Sequence, residues 1–67
     1  MFEYINETYN LNVKKGDRVR FEKTQLGTVV GVHAANLKVL MDGSRKPECY
    51  HPTWEMEYLS KEPSTEK

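Results

Sequence analysis

The chain has 67 residues, ten Lys and Arg against ten Asp and Glu, one cysteine and one tryptophan. A domain of about this length builds one small core and hides roughly 60% of its unfolded surface, which excludes a Rossmann- or TIM-type catalytic architecture and a cleft between two lobes. A formal charge of zero also removes the simplest argument for a nucleic-acid partner, a strongly basic pI.

The first twelve residues carry two competing patterns. Tyr9, Leu11 and Val13 alternate like a strand, whereas Phe2, Ile5 and Tyr9 fall at helical spacing. An extended arm lying across the domain is the expectation. Glu3 and Glu7 occupy a stretch that lacks the basic start and apolar run of a signal peptide, and no segment approaches the ~18 apolar residues of a membrane span. Asn6-Glu7-Thr8 matches a glycosylation acceptor, inert without secretion. Cys49 is alone, so no internal disulfide supports the core, and a reducing cytoplasm is expected.

From residue 13 onward the period changes to two. Val19 and Phe21 alternate with Arg18, Arg20 and Glu22, the mark of a half-buried strand. Residues 26–33 are rich in β-branched side chains and interrupted by Gly27 and Gly31, where a bulge or sharp bend is expected. After Ala34-Ala35-Asn36, with Asn36 suited to the left-handed region, Leu37, Val39 and Met41 alternate as a third strand. Asp42-Gly43 signals a turn. Glu48-Cys49-Tyr50 forms a short fourth strand, with Cys49 expected buried. Residues 51–54 suit one helical turn opened by Pro52, and residues 57–59 a fifth strand. Strands this short, separated by frequent turns, indicate a meander closed into a small barrel, which removes open sheet edges. Val19, Phe21, Val29, Val32, Val39, Met41 and Leu59 are the expected core. Residues 60–67 hold nothing to bury and are expected to be disordered. The predicted organisation is therefore an arm over 1–12, an all-β five-stranded barrel over 13–59 and a disordered tail over 60–67.

Two segments resemble a known family. Val13-Lys-Lys-Gly-Asp-Arg-Val-Arg-Phe21, then a loop at 22–26, then Gly27-Thr-Val-Val-Gly-Val32 is similar to a KOW motif, in which a Gly-Asp-x-Val strand and a Gly-x-Val strand sit inside a Src-homology-3-like (SH3-like) barrel. The loop lacks the glycine usual there. The stretch from Asp42-Gly43 through His51-Pro52 to Leu59 resembles the end of small barrel proteins of bacteria and their phages. The resemblance implies an SH3-like fold and a binding module, often for nucleic acid or for transcription and translation complexes.

Chemistry-bearing residues are few. Cys49 and His51 stand two apart on an extended chain, but zinc needs three or four ligands and no second pair exists. No cofactor, metal site, small-molecule substrate or catalytic group is expected. Charge is distributed unevenly. Residues 1–12 carry −2; residues 13–46 hold eight cations against three carboxylates, net +5; residues 47–67 carry −3. Lys14, Lys15, Arg18, Arg20, Lys38, Arg45 and Lys46 are thus the candidate phosphate contacts, and a nucleic-acid or nucleoprotein partner is the leading expectation. The alternative is a protein partner held by Tyr50, His51, Trp54 and Tyr58, since tryptophan and tyrosine anchor many interfaces.

Overall fold

The computed structural model describes residues 2–59. It is mostly β, as the alternation predicts, with one helix ahead of the sheet. The elements are α1 (Phe2–Tyr9), β1 (Arg18–Phe21), β2 (Gln25–His33), β3 (Asn36–Met41), β4 (Glu48–Tyr50) and β5 (Met56–Tyr58). All pairings are antiparallel, in the order β4-β3-β2-β1-β5, so β5 returns to the free edge of β1.

The N-terminal residues depart from the extended arm. Phe2, Ile5 and Tyr9 lie on one face of α1; Ile5 is fully buried and the other two pack against the core. An eight-residue helix is not stable alone in water, so α1 exists because it docks. Asn10 ends it in the left-handed region, with φ 57°, and the Leu11 amide donates to the Asn6 carbonyl at 2.9 Å, a left-handed C-terminal cap. The chain then turns extended and buries Val13. The Asn6 side chain grips Val13 on both sides: Nδ2 donates to its carbonyl at 3.1 Å and Oδ1 accepts from its amide at 2.8 Å. The glycosylation-type asparagine is thus occupied inside the fold.

The sheet is curled. Phe21 at the end of β1 meets Tyr50 on β4 with ring centroids 4.9 Å apart, although β2 and β3 lie between those strands in the sheet. A bulge and one tightly packed glycine in β2 accompany this. The register with β3 slips between Val29 and Gly31, the predicted bulge, which sharpens the bend. A Cβ on Gly27 would stand 2.8 Å from both the Met41 sulfur and Val39 Cγ1 and 3.0 Å from the Leu40 carbonyl oxygen, so close approach of β2 to β3 requires glycine there. No ladder joins β4 to β5 among the described residues.

The buried hydrophobic residues are Ile5, Val13, Val19, Val29, Leu37, Val39 and Met41. Phe21 and Val32 pack against this cluster partly exposed, and Leu59 is likewise only partly buried; each lies near a strand end, where the curled sheet leaves one side open. Ile5 and Val13 replace them because α1 closes that side. Four local expectations change. Cys49 is exposed, since it faces away from the core between Glu48 and Tyr50. The left-handed residue before β3 is Ala34, φ 54°, rather than Asn36, because Asn36 already pairs with His33 in the ladder. Residues 52–55 bend without forming a helical turn, drawn tight by Pro52, whose side chain is fully buried. The loop at 22–26 shortens to Glu22–Thr24, as Gln25 pairs with Phe21. The tail over 60–67 lies outside the described residues.

Replacing Asn6 tests how much α1 depends on its grip. Asn6→Ala strands the Val13 amide and carbonyl, a loss of about 2–3 kcal/mol for two part-buried backbone groups. Asn6→Asp keeps the acceptor and loses the donor, so it is expected to fall between wild type and Asn6→Ala in urea denaturation.

Candidate functional site

The two sets of residues singled out by sequence separate onto different parts of the sheet. Val19 faces the core, so its neighbours Arg18 and Arg20 project outward, and Lys38 does the same between buried Leu37 and Val39. Lys14 and Lys15 sit before β1, and Arg45 and Lys46 in the loop between β3 and β4.

The outward arginines are already engaged. Arg18 reaches diagonally across the sheet to Asp42, Nη1 donating to Oδ1 at 3.0 Å and Nη2 to Oδ2 at 2.8 Å, with Thr28 Oγ1 at 2.7 Å. Arg20 lies directly opposite Glu57 on β5 and forks onto its carboxylate at 3.1 and 3.0 Å. Both forks are the planar two-bond arrangement that guanidinium favours. The arginines hold Asp42 and Glu57 below the usual carboxylate range, by hydrogen bonding first. Lys14 Nζ lies 3.7 Å from Asp17, whose carboxylate also accepts the Lys14 amide at 2.9 Å. That leaves Lys15, Lys38, Arg45 and Lys46 with no ion pair among the described residues.

The aromatic residues gather at the opposite end of β1. Phe21, the last residue of that strand, meets Tyr50 edge-on at 4.9 Å and Trp54 at 5.8 Å, tilted by 51°. The result is a ridge of three rings. Its outermost member, Trp54, is 58% exposed. Burial, with the Glu48 charge second, raises the Tyr50 phenol.

His51 and Tyr58 brace the loop that bears Trp54. The Thr53 amide donates to His51 Nδ1 at 3.0 Å, and the other ring nitrogen, Nε2, lies 3.5 Å from the Tyr9 hydroxyl. The two rings meet edge-on at 5.2 Å. Tyr58 reaches beneath the loop and donates its hydroxyl to the Pro52 carbonyl. Burial, and then the Asp17 charge, push its phenol up to about 12. Sequence reading found these four residues but missed Phe21 as the ring that joins Tyr50 to Trp54. Its alternation marked it for the core, and only the curl of the sheet shows its second edge.

A half-open groove of about 310 Å3 lies between the chain after α1 and β5, lined by Leu11, Val13, Asp17, Tyr58 and Leu59 among others. Its carboxylate is spent on the Lys14 turn. Among the described residues no three His, Cys, Asp or Glu side chains converge as a metal site, and no helix is long and apolar enough to cross a membrane. Comparisons with protein-family models, curated proteins and solved structures find no match to the chain.

Two pH responses follow from these contacts. A phenol raised by burial stabilises the fold fully below its unfolded value of 10, and that contribution is lost as pH rises from there through about 12. Tyr58→Phe is expected to remove this alkaline limb, and at neutral pH to cost about 1–2 kcal/mol through the orphaned Pro52 carbonyl; urea midpoints across the alkaline range check both. Glu57, with its pKa lowered, contributes above the ordinary carboxylate value and loses that contribution as pH falls. Glu57→Gln is expected to flatten the acid side of the same stability profile.

Proposed function

We propose that this protein is a non-catalytic binding module with an SH3-like barrel, and that the ridge of Tyr50, Phe21 and Trp54 is its contact surface for another protein. The observation that carries this reading is Trp54, 58% exposed with its ring tilted against that of Phe21, centroids 5.8 Å apart. A large ring held rigid and left open is the usual anchor of an interface, because it loses little side-chain entropy on binding and covers much apolar area. The buried Pro52 and the struts from His51 and Tyr58 keep its loop in one position. The strand order β4-β3-β2-β1-β5, with Phe21 of β1 meeting Tyr50 of the edge strand β4 across the curl of the sheet, supports the barrel. So do the Gly-Asp-x-Val and Gly-x-Val segments.

Of the candidate phosphate contacts, Lys15, Lys38, Arg45 and Lys46, which have no ion pair among the described residues, support a second reading, contact with nucleic acid or a nucleoprotein complex in a bacterial cytoplasm. They are divided among a turn, a strand face and a loop, while the two arginines of the outward face are neutralised by carboxylates. Protein contact therefore leads.

The variant Trp54→Ala, shown folded by its amide dispersion, is expected to lose the protein partner that wild type captures from cytoplasmic extract, with or without nuclease treatment. Retention of that partner by the variant would overturn the ridge as the contact surface. For phosphate contact, titration with short RNA and DNA is the measurement; four contacts predict an affinity falling with salt at a log–log slope of about −3 on single strands.

A further inference from the structure

We infer that the partner presented to the Trp54 ridge is a protein segment bearing arginine, whose guanidinium lies on the open indole face while carboxylates beside the ridge take its N–H groups. This rests on the ridge being a protein-contact surface. It adds the chemistry of what binds there.

The charges around the ridge carry the inference. Each of its three rings has a glutamate within two residues in the chain: Glu22 follows Phe21, Glu48 lies two residues before Tyr50 on the same short strand, and Glu55 follows Trp54. The backbones of Glu22 and Glu55 touch, the Glu22 amide donating to the Glu55 carbonyl at 2.9 Å. That bond brings the carboxylate-bearing residues from the β1–β2 turn and the Trp54 loop to one end of the ridge. Glu48 stands close enough to Tyr50 for its charge to act on the phenol. All three glutamates are exposed, and none has an ion pair among the described residues.

This contrasts with the outward face, where Asp42 and Glu57 are each matched by an arginine. Lys23, the cation nearest in the chain, lies near enough to Glu57 for its charge to act there. The ridge is thus aromatic at its centre and anionic at its margin, within a chain whose net charge is zero. An open indole attracts a cation through its ring face. Arginine fits this surface better than lysine, because a planar guanidinium stacks on a ring and still presents edge N–H groups to carboxylates, whereas an ammonium is a compact, strongly hydrated charge. An anionic polymer is disfavoured here by the same three carboxylates.

The test uses the whole chain and three twelve-residue peptides without aromatic residues, carrying four arginines, four lysines or four glutamates among glycine and serine. Trp54 is the sole tryptophan, so its emission reports on the site alone, and amide shifts locate the contact. The arginine peptide is expected to change Trp54 emission, to move the amides of Phe21, Glu22, Trp54 and Glu55, and to bind at least about threefold tighter than the lysine peptide. The triple variant Glu22→Gln, Glu48→Gln, Glu55→Gln alters exposed positions only and is expected to weaken that binding about tenfold or more. Four outcomes overturn the inference: no Trp54 response to the arginine peptide, equal binding of arginine and lysine peptides, tighter binding of the glutamate peptide, or undiminished binding by the triple variant. The ridge and its ligand fail separately. Should the arginine peptide leave Trp54 untouched while Trp54→Ala still abolishes capture of the protein partner, the ridge stands and the arginine assignment falls. Should Trp54→Ala keep that partner, the ridge itself falls.

Discussion

The two hydrogen bonds between the Asn6 side chain and the Val13 backbone, one donated and one accepted by Asn6, are the constraint on which the other contacts depend. A sheet of strands three to nine residues long, curled but not laddered between β4 and β5 among the described residues, cannot cover both sides of its core. Helix α1 supplies the missing cover, and it has little intrinsic stability at eight residues. Burying Ile5 offers about 1.5–3 kcal/mol, and the Asn6 grip fixes the helix at the one register where Ile5 reaches the core. From there the contacts run outward: Tyr9 on the last turn of α1 meets His51, and His51 holds the Thr53 amide one residue before Trp54. The position of the exposed tryptophan is thus tied to the helix at the other end of the chain.

Neutral overall charge arises from two different arrangements on the surface. On the outward face, charges of opposite sign are opposed across strands, Arg20 to Glu57 and Arg18 diagonally to Asp42. Cross-strand pairs of this kind help fix register, and their guanidiniums are drawn away from any external anion. At the ridge, Glu22, Glu48 and Glu55 have no ion pair among the described residues. A central segment that is basic by count therefore presents less positive surface than its composition implies, because the chain places acidic residues from β5 and the Asp42 turn against its arginines.

Period-two alternation made β1 and β3 readable directly, since one buried face dictates every second residue. The bulge was equally legible from Gly31, and so was the Asp42-Gly43 turn, with Gly43 at φ 88°. The helix was not, because Tyr9 belongs to both patterns: it is the last apolar residue of the α1 face and the first of the run Tyr9, Leu11, Val13. What decides between them is the reach of Asn6 to Val13, a contact seven residues long that no periodicity encodes. The same holds for the site. Trp54, Tyr50, His51 and Tyr58 were evident as residue types, but their division into ring surface and structural struts depends on which hydroxyl finds Pro52 and which ring finds Phe21.

The turn beneath the ridge shows local preference yielding to tertiary geometry. Glu22 and Lys23 occupy the centre of a tight turn closed by the Thr24 amide on the Phe21 carbonyl at 3.2 Å, with φ 52° and 70°. Both are left-handed, the conformation that Asn-Gly adopts most cheaply. Glu55, across the backbone bond from Glu22, is left-handed as well at φ 53°. Each non-glycine residue held there costs about 1–2 kcal/mol, so these three residues oppose the fold that the neighbouring strands impose. Glycine would relieve the strain but would also loosen the segment in the unfolded chain and remove the carboxylates from the ridge margin. The turn thus carries charged side chains at positions whose backbone favours glycine, on the strand end that also bears Phe21.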